Sequence, residues 1–597
     1  MKIKFGKAEG RDSVMDVGKL FLASFVMVFS YSCSNSNDPS VPVAPFTITE
    51  YVPAVGRVGD TLAIKGEGME RTRKVLFNNV DAKIVSATKG VVKVIIPTVE
   101  NNVDALVSSV PVKVYSSIQF REFNYNLKYR NAVFTLQDLK YEVDTVAHYQ
   151  VGPGTYFTAI DFKHANLPLK VYYITSSVET PHLRFRPVLA EDELGCAESV
   201  IEMGKRKTTE GKGNYFAGVN ADFFNMGGNN YILDGMNLDG KMVALPTENG
   251  VGSMVVMPNG ELFIDELSYP VIKINVGDVV ANIDNVNQNR KENQLVMYNR
   301  YYDTRTFTNN FGTEAVIKPV SGEWKLNEDV EFEVIDVFVG KGNTTIPDGC
   351  AVLSGHGTKQ EVLNKLNVGD KGTFNVTFKG HSYNIGSPLH TMGVKPLILK
   401  DGKTTSYVWD ERHPRTALGL SADRKTLYMC VVDGRWENFS VGTTVTQLAL
   451  LMKRAGADTA FNLDGGGSST MFTYNTGYNG TGLMNRPNGG TYTRKVANAF
   501  FAVADVPEDN QIAQIVSANH IVHVKKGKST TLKFYGINQH GIVVNNDVQG
   551  VKLVAEPILG SVDGYTFKAS NVDNAQLEGF ITATYQGLST KIKVYVE

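Results

Sequence analysis

The sequence predicts a multidomain protein whose α+β central domain, with a mixed and mainly antiparallel sheet, is flanked by all-β sandwiches. Three observations predict this class. The chain has 597 residues, which is enough for several hydrophobic cores. Short apolar strands separated by turn residues occupy both ends of the chain. The middle combines strands of period two with an amphipathic helix, and this mixture favours an α+β arrangement.

Residues 1–33 have the pattern of a lipoprotein signal peptide. Lys19 precedes an apolar run at residues 20–29, which is too short to span a bilayer. The run ends in a lipobox-like segment at Cys33, where Ser30 replaces the usual leucine. A cysteine carrying several acyl chains anchors a protein stably. We therefore expect an exported protein of the cell envelope, lipid-anchored at the outer membrane or cell surface.

A polar linker and two strand-rich blocks frame the centre of the chain. Residues 34–45 are polar and contain proline, which is typical of a linker. Predicted strands at residues 75–77 and 91–96 alternate with turn residues at Gly56, Gly59 and residues 66–68, and in this pattern residues 46–116 resemble an IPT/TIG-type immunoglobulin-like domain. Residues 117–139 are predicted to be a connector. Residues 510–597 resemble the Ig-like domains of bacterial surface proteins. Both flanking domains are expected to be immunoglobulin-like sandwiches that serve display, spacing or glycan contact.

The central block, residues 140–505, contains two predicted helices among its strands. The first covers residues 193–205. The second begins at Thr443 or Thr444, which are suitable N-cap residues, and ends before Gly456, which suits the left-handed C′ position. Its apolar side chains follow at i, i+3, i+4 and i+7, namely Leu448, Leu451, Met452 and Ala455.

A glycine triplet directly after the second helix is the strongest functional signal. The predicted strand before it ends in Asn462 and Asp464, which share one face if the alternation of strand side chains continues. Gly465 and Gly466 open a loop whose backbone N–H groups can approach a ligand closely. The hydroxyl groups of Ser468 and Ser469 follow. This composition suits a phosphorylated or polyhydroxyl ligand, whereas the alternative is a glycine-rich turn capped by Asp464.

Two neighbouring strands carry further polar residues at their ends. One predicted strand starts at Arg415, and the next ends in Asp433 and Arg435, which share a face if the strand continues. The guanidinium groups of Arg415, Arg435 and Arg494 match phosphate oxygens in bidentate fashion. As alternatives, Asp433 forms an Asx turn and Arg435 pairs with a structural carboxylate.

A second Asn-x-Asp pair repeats the first. Asn220 and Asp222 stand at the polar end of an apolar strand, as Asn462 and Asp464 do. Two such strands side by side bring two carboxylates together, and glycoside hydrolysis commonly uses two carboxyl groups. Asp222 alternatively caps the glycine loop that follows it.

The ordered set of these segments resembles the phosphodiester glycosidase family over roughly residues 140–505. The segments that carry the resemblance are 218–224, 415–419, 432–435, 440–442, 462–469 and 494–498. Ala221 stands where the family has glycine. The resemblance implies a hydrolase of sugar phosphodiesters, with a preference for N-acetylglucosamine, and it adds Asn498 to the residues near the substrate. Arg494 and Asn498 alternatively hold the local strand or loop in place.

The resulting hypothesis gives Asp464 or Asp222 the nucleophile or base role, with Asp433 as a further catalytic candidate. The residues expected to bind substrate are Asn220, Arg415, Arg435, Asn462, Gly465, Gly466, Ser468, Ser469, Arg494 and Asn498. The products are a free sugar and a phosphomonoester. The alternative function is a glycan-binding or adhesive surface lipoprotein without catalysis.

Composition limits the partners and cofactors. The net charge of −1 gives no reason to expect nucleic acid, so the predicted partners are a sugar-phosphate or glycan and the membrane. No metal or cofactor is predicted in the active site, although a structural calcium on oxygen ligands is compatible with the sequence. With Cys33 lipidated, three of the four cysteines remain, and Cys196 with Cys350 is the expected pair if any disulfide forms.

Overall fold

The computed structural model of the chain describes residues 45–52, 55–97, 99, 107–128, 132–211, 213–246, 251–474, 481–488, 490, 492–571 and 577–597. It divides into two compact units, Met1–Asn131 and Ala132–Glu597. The predicted signal peptide, Cys33 and almost all of the predicted linker lie outside the described residues. In the described part of the chain, no helix has the length and apolar character needed to cross a membrane.

The first unit is a sandwich of two sheets around a shared apolar core. The four-stranded sheet has the order Glu50–Val52, Thr61–Lys65, Val91–Ile95 and Lys83–Thr88. The five-stranded sheet has the order Val55–Arg57, Phe120–Lys128, Val107–Tyr115, Lys74–Phe77 and Val80–Asp81. Side chains from both sheets interleave, for example Ile64 with Val112 and Tyr125. The strand Phe120–Lys128 falls in the segment predicted as a connector, so the unit extends beyond residue 116.

A nine-stranded antiparallel sheet forms one side of the second unit. Its order is Ala132–Leu136, Leu139–Gly152, Thr155–Lys163, Leu169–Ser177, Thr426–Val432, Arg415–Leu420, Thr459–Asn462, Leu397–Lys400 and Lys403–Thr404. Arg415 pairs with Val432, and Ala417 pairs with Asn462. The polar residues at the ends of these three neighbouring strands therefore lie close together, at one end of the strands.

Two further sheets complete the central part of this unit. The four-stranded sheet has the order Leu183–Leu189, Asn498–Ala504, Asn214–Asn220 and Met471–Thr473. The largest sheet has the order Lys241–Ala244, Met236–Leu238, His390–Gly393, Val251–Val256, Leu262–Val276, Lys371–Gly380, Asp329–Val339, Gly312–Pro319, Ala351–His356, Leu295–Asn299 and Asn285–Val286, with Val279–Asn282 paired to Leu262–Val276. Their pairs are antiparallel except that between Asn285–Val286 and Leu295–Asn299.

Local signals account for the positions of the two longer helices. The helix Val445–Ala455 has Thr444 in a capping box with Gln447 and Gly456 in the left-handed conformation, which confirms the predicted caps. The other helix is Val200–Thr209, later than predicted, because Ser199 and Glu202 form its capping box. The short helix Gln360–Leu363 is the third α-helix described.

The second unit is mostly β, which corrects the α+β prediction. The predicted antiparallel sheets are present, but only three α-helices are described, and Gln360–Leu363 is a single short turn. The helix Val445–Ala455 packs on the strands around Arg415–Leu420 and Thr459–Asn462. The helical periodicity was a correct local signal, whereas the abundance of strands is what determines the class.

Residues 510–597 form three small sheets that share a core with the rest of the second unit. Their orders are Gln514–Ser517, Phe534–Ile537 and Val543–Asn545; Ile521–Val524, Leu588–Val596, Leu577–Tyr585 and Lys552–Ala555; and Ser529–Thr531, Thr566–Ala569 and Gly560–Asp563. Ile521 and Tyr595 belong to the central apolar cluster. The buried Nζ of Lys593 lies 3.0 Å from Oδ2 of buried Asp144. These contacts join residues 510–597 to the same compact unit as the central block.

The cysteines of the second unit are all free thiols. Cys350 and Cys430 are buried, and Cys196 is partly buried. The predicted Cys196–Cys350 pair is therefore wrong, and packing holds this unit together. Burial raises the pKa of the Cys196 thiol to about 11, with the nearby carboxylates of Glu191 and Glu193 adding to the shift.

Candidate functional site

The two Asn-x-Asp segments meet at the ends of their strands. The backbone N–H of Asp464 donates to the carbonyl of Ala221 at 3.0 Å. Nδ2 of Asn220 donates to the carbonyl of Asp464 at 2.7 Å, while Oδ1 of Asn220 accepts from Oγ1 of Thr416 at 2.8 Å and from the N–H of Thr470 at 3.1 Å. Asn220 is thus a buried cross-link that positions the glycine loop, and it has few groups left for a substrate.

Close approach explains the three glycines of the loop. A Cβ at Gly465 would lie 2.9 Å from the carbonyl oxygen of Pro414. Gly466 has φ of +64°, the left-handed region that favours glycine. A Cβ at Gly467 would lie 2.4 Å from Nη2 of Arg494. The triplet therefore lets the backbone pass between a strand end and an arginine side chain.

The protein itself uses most of the loop's N–H groups, which corrects the expected donor-rich nest. The backbone N–H of Gly466 donates to the Pro414 carbonyl at 2.8 Å. The backbone N–H groups of Ser468 and Ser469 donate to the carbonyls of Gly465 at 3.2 Å and Gly466 at 3.3 Å. The segment Gly466–Ser468 is a turn of 3₁₀-helix. Charge for an anion must come mainly from side chains around the loop.

Two arginines lie against the glycine loop from different segments. Arg494 is half-buried, and its Nη1 lies 3.4 Å from Oγ of Ser468. Arg435 is exposed, and its Nη2 lies 3.3 Å from Nδ1 of His413. The same Nη2 is so close to the loop that a Cβ added at Gly466 would lie 3.2 Å from it. The two predicted phosphate ligands are therefore brought to the same loop.

Arg415, by contrast, is a buried structural arginine. Its Nη2 donates to the carbonyl of Glu411 at 2.9 Å, its Nε donates to that of Thr443 at 3.3 Å, and its guanidinium lies 4.3 Å from the ring centre of Trp409. Burial lowers the pKa of Arg415 to about 10. Arg415 supports the start of the loop next to Gly465 and adds a buried positive charge there.

Asp464 is a carboxylate of the glycine loop that interacts with Arg494. Its side chain interacts with Ser468 and with the Gly465 N–H, and the charge of Arg494 acts on it. Burial raises the pKa of Asp464, and those three partners oppose the rise. A carboxylate held at a loop, half-buried and next to arginine, suits a nucleophile or base.

A buried carboxyl pair, Asp222 with Asp234, lies behind the loop. The Asp234 N–H donates to Oδ2 of Asp222 at 3.0 Å, and Lys395 makes an ion pair with Asp234. Burial and the like charge of Asp234 raise the pKa of Asp222 well above its ordinary value. A carboxyl group whose pKa is raised in this way suits proton donation better than base catalysis.

Of the remaining predicted residues, some position their neighbours through hydrogen bonds and others have buried polar atoms without a hydrogen-bond partner. Oδ1 of Asn498 accepts the Asp222 N–H at 2.9 Å, so Asn498 positions that carboxyl. Nδ2 of Asn462 donates to the Leu463 carbonyl at 2.7 Å. Within the described ranges, Oδ1 of Asn462 and Oγ of Ser469 are buried without a hydrogen-bond partner. Such groups are uncommon in folded proteins and are available to a ligand or ordered water.

Asp433 and Arg435 do not share a strand face, which corrects that part of the prediction. The strand ends at Val432, and Arg435 has φ of +65°, so the two residues do not share a face. Oδ1 of Asp433 accepts from Nδ2 of Asn485 at 2.9 Å, and Oδ2 accepts from the hydroxyl of Tyr172 at 3.0 Å and the Arg486 N–H at 2.9 Å. Nδ2 of Asn485 also donates to the Ser469 carbonyl at 3.1 Å, so buried Asp433 is linked to the end of the glycine loop and its catalytic role stays a prediction.

Asp433 should make stability depend on pH. Burial raises its pKa to about 7 in the folded protein, above the value near 4 of an unfolded chain. Its stabilising effect is therefore complete below about pH 4 and is lost as the pH rises through about 7. We expect the free energy of unfolding of wild type, relative to Asp433→Asn, to fall from pH 5 to pH 8 in urea titrations. Parallel pH profiles for the two proteins would contradict this.

Sequence reasoning missed Asp234 and Lys395. Asp234 stands in an Asp-Gly pair, which was the one available signal, but its partners come from distant segments. Nothing local marks Lys395 as the counterion of a buried carboxyl. Among the described residues, no group of three or more His, Cys, Asp or Glu side chains is arranged to hold a metal ion.

The chain is mostly β, and Asp464, Arg435 and Arg494 meet at its glycine loop. Residues 327–503 match the family model described as phosphodiester glycosidase. The matched range includes the glycine loop, Arg435 and Arg494 but not Asn220 or Asp222. The match supports a phosphodiester glycosidase-like hydrolytic function.

Comparison with solved structures gives matches of low sequence identity. A hypothetical protein from Synechocystis is 14% identical with a TM-score of 0.44, and the alignment covers 74% of each chain. The catalytic domain of zebrafish N-acetylglucosamine-1-phosphodiester alpha-N-acetylglucosaminidase, auto-inhibited by its pro-peptide, is 11% identical with a TM-score of 0.29 and coverages of 62% of this chain and 89% of that one. No curated protein matches the chain significantly.

Proposed function

We propose that the protein is an exported, envelope-anchored hydrolase of sugar-1-phosphodiesters that releases a free sugar and a phosphomonoester. One observation carries the proposal. Arg435 and Arg494 lie against a loop without side chains, and Asp464 begins that loop. A phosphate held by two guanidinium groups would place the neighbouring sugar carbon within reach of a carboxylate.

Each group has a distinct chemical role in this proposal. Arg435 and Arg494 neutralise the phosphate, which leaves with the bonding electrons of the C–O bond as the phosphomonoester. Asp464 attacks the anomeric carbon or activates the water that does so. Asp222 supplies a proton through its pair with Asp234. Because a phosphomonoester is a good leaving group, the arginines matter more than the proton donor.

The proposed sugar is N-acetylglucosamine or a close analogue. The zebrafish enzyme acts, by its name, on an N-acetylglucosamine-1-phosphodiester. The family match over residues 327–503 supports the same linkage here. Anchoring through a lipid on Cys33 is part of the proposal, and loss of radiolabelled palmitate from a Cys33→Ala variant would test it.

Hydrolysis of a synthetic N-acetylglucosamine-1-phosphodiester in ¹⁸O-labelled water tests the function. We expect free N-acetylglucosamine that carries the label at its anomeric oxygen, because C–O cleavage adds solvent oxygen to the sugar. Label in the phosphate would indicate P–O cleavage and a phosphodiesterase instead. Binding of the diester without turnover would favour the glycan-binding alternative.

A further inference from the structure

A large cleft lies between the central sheets and the C-terminal sheets of the second unit. Its volume is about 1020 Å³, which is in the upper range for small-molecule sites. The central side contributes Asp161, Lys170 and the turn that carries Trp436 and Phe439. The C-terminal side contributes Tyr595 and its neighbours. None of the cleft residues belongs to the glycine-loop cluster described above.

Aromatic rings form part of the cleft wall and are held by cations. The guanidinium of Arg486 lies 4.0 Å from the ring centre of Trp436 and 5.0 Å from that of Phe439. Nζ of Lys170 lies 5.2 Å from the ring centre of Phe439 and 4.7 Å from that of Tyr595. Cations placed over ring faces restrict the orientation of the rings. Fixed aromatic rings bind a flat apolar ligand face without a large loss of entropy.

The charges of the cleft are largely paired with each other. Nζ of Lys170 lies 2.6 Å from Oδ2 of Asp161, and Nδ1 of His523 lies 2.7 Å from Oε1 of Glu597. Lys163 forms an ion pair with Glu578. Paired charges give no net field for a polyanion, but they still offer donors and acceptors to hydroxyl groups. Pyranose sugars combine such hydroxyl groups with apolar C–H faces.

We propose that this cleft is a binding site for an uncharged carbohydrate chain, separate from the glycine-loop site. The cleft supplies rigid rings for the C–H faces and paired charges for the hydroxyl groups. One turn contributes residues to both sites. Its Arg435 side chain lies against the glycine loop, and its Trp436 and Phe439 side chains line the cleft. Asp433 fixes this arrangement by accepting the Arg486 N–H, and Ser440 donates to the Asp433 carbonyl at 2.6 Å.

Calorimetric titration of the full chain with neutral trisaccharides tests the proposal. N,N′,N″-Triacetylchitotriose, mannotriose and maltotriose carry no charge and contain no phosphate, so their binding does not depend on the proposed hydrolysis. We expect at least one to bind, and Trp436→Ala and Phe439→Ala to weaken its binding at least tenfold. Phe311→Ala is the matched control, because Phe311 is 72% exposed and lies outside the cleft. Its binding should equal that of wild type.

A fluorescence measurement keeps the test valid if the alanine variants fold poorly. Trp436 is one of three tryptophans, and Trp436→Phe retains an aromatic ring. We expect the trisaccharide to change the tryptophan emission of wild type, and Trp436→Phe to keep most of the affinity but lose most of that change. Failure of all three sugars to bind would overturn the proposal. So would equal affinity in wild type and in folded Trp436→Ala and Phe439→Ala.

Discussion

Asp464→Asn is expected to leave the fold intact and to lower sugar release from an N-acetylglucosamine-1-phosphodiester by roughly 10²–10⁴-fold. The amide keeps the shape of the side chain and its contacts with Ser468 and Gly465, but it cannot act as a nucleophile or base. The effect should fall on kcat more than on KM, because the arginines that would hold the phosphate are unchanged. Initial rates with wild type and variant at several substrate concentrations measure this split.

Asp423→Asn is the matched control for that experiment. Asp423 accepts hydrogen bonds from Oγ of Ser421 at 2.6 Å and from the Lys425 N–H at 3.1 Å, in the turn at the opposite end of the Arg415–Leu420 strand. The Asp423→Asn variant should retain wild-type turnover. Full activity in Asp464→Asn would exclude Asp464 from the chemistry. Equal losses in both variants would indicate a general effect on the fold.

Lys593→Ala is expected to lower the free energy of unfolding by about 3–5 kcal/mol. The Lys593 ammonium is fully buried and lies 3.0 Å from the Asp144 carboxylate, which is 1% exposed. Removal of the lysine leaves a buried negative charge whose desolvation is poorly compensated, although Lys163 lies nearby. Urea-induced unfolding followed by circular dichroism gives the difference between variant and wild type.

Two further variants show whether the ion pair causes that loss. Lys591→Ala removes an exposed lysine from the same strand and should change stability by no more than about 0.5 kcal/mol. The double variant Lys593→Met with Asp144→Leu removes both charges and should recover much of the loss. If the double variant is as unstable as Lys593→Ala, lost packing rather than the unpaired carboxylate is responsible.

Local features of the structure were predictable from the sequence. The helix Val445–Ala455 has its caps encoded within a few residues, at Thr444 and Gly456, and both were found. The repeated Asn-x-Asp segments do meet, because the Asp464 N–H donates to the Ala221 carbonyl, but their strands belong to different sheets rather than lying side by side. Alternation failed at Asp433 because the strand ends one residue earlier and the backbone turns.

Features that depend on distant residues were not predictable in this way. The Asp222–Asp234–Lys395 cluster joins three segments whose proximity follows from sheet order, and sheet order leaves no local pattern. The hydrogen bond from the Gly466 N–H to the Pro414 carbonyl depends on how two strand ends meet. The same limit applies to residues 510–597, whose strands were recognised but whose shared core with the central sheets was not.

The ion pair between Asp144 and Lys593 also constrains how the protein can be made. Its partners are 449 positions apart, and the strand Leu588–Val596 lies beside core residues supplied by much earlier segments. Contacts between such distant positions slow folding, since the intervening chain must be ordered first. The second unit cannot complete its core while residues 588–596 are still being synthesised. Until then Asp144 lacks the contact with Lys593, and the incomplete chain presents apolar strands to chaperones and proteases.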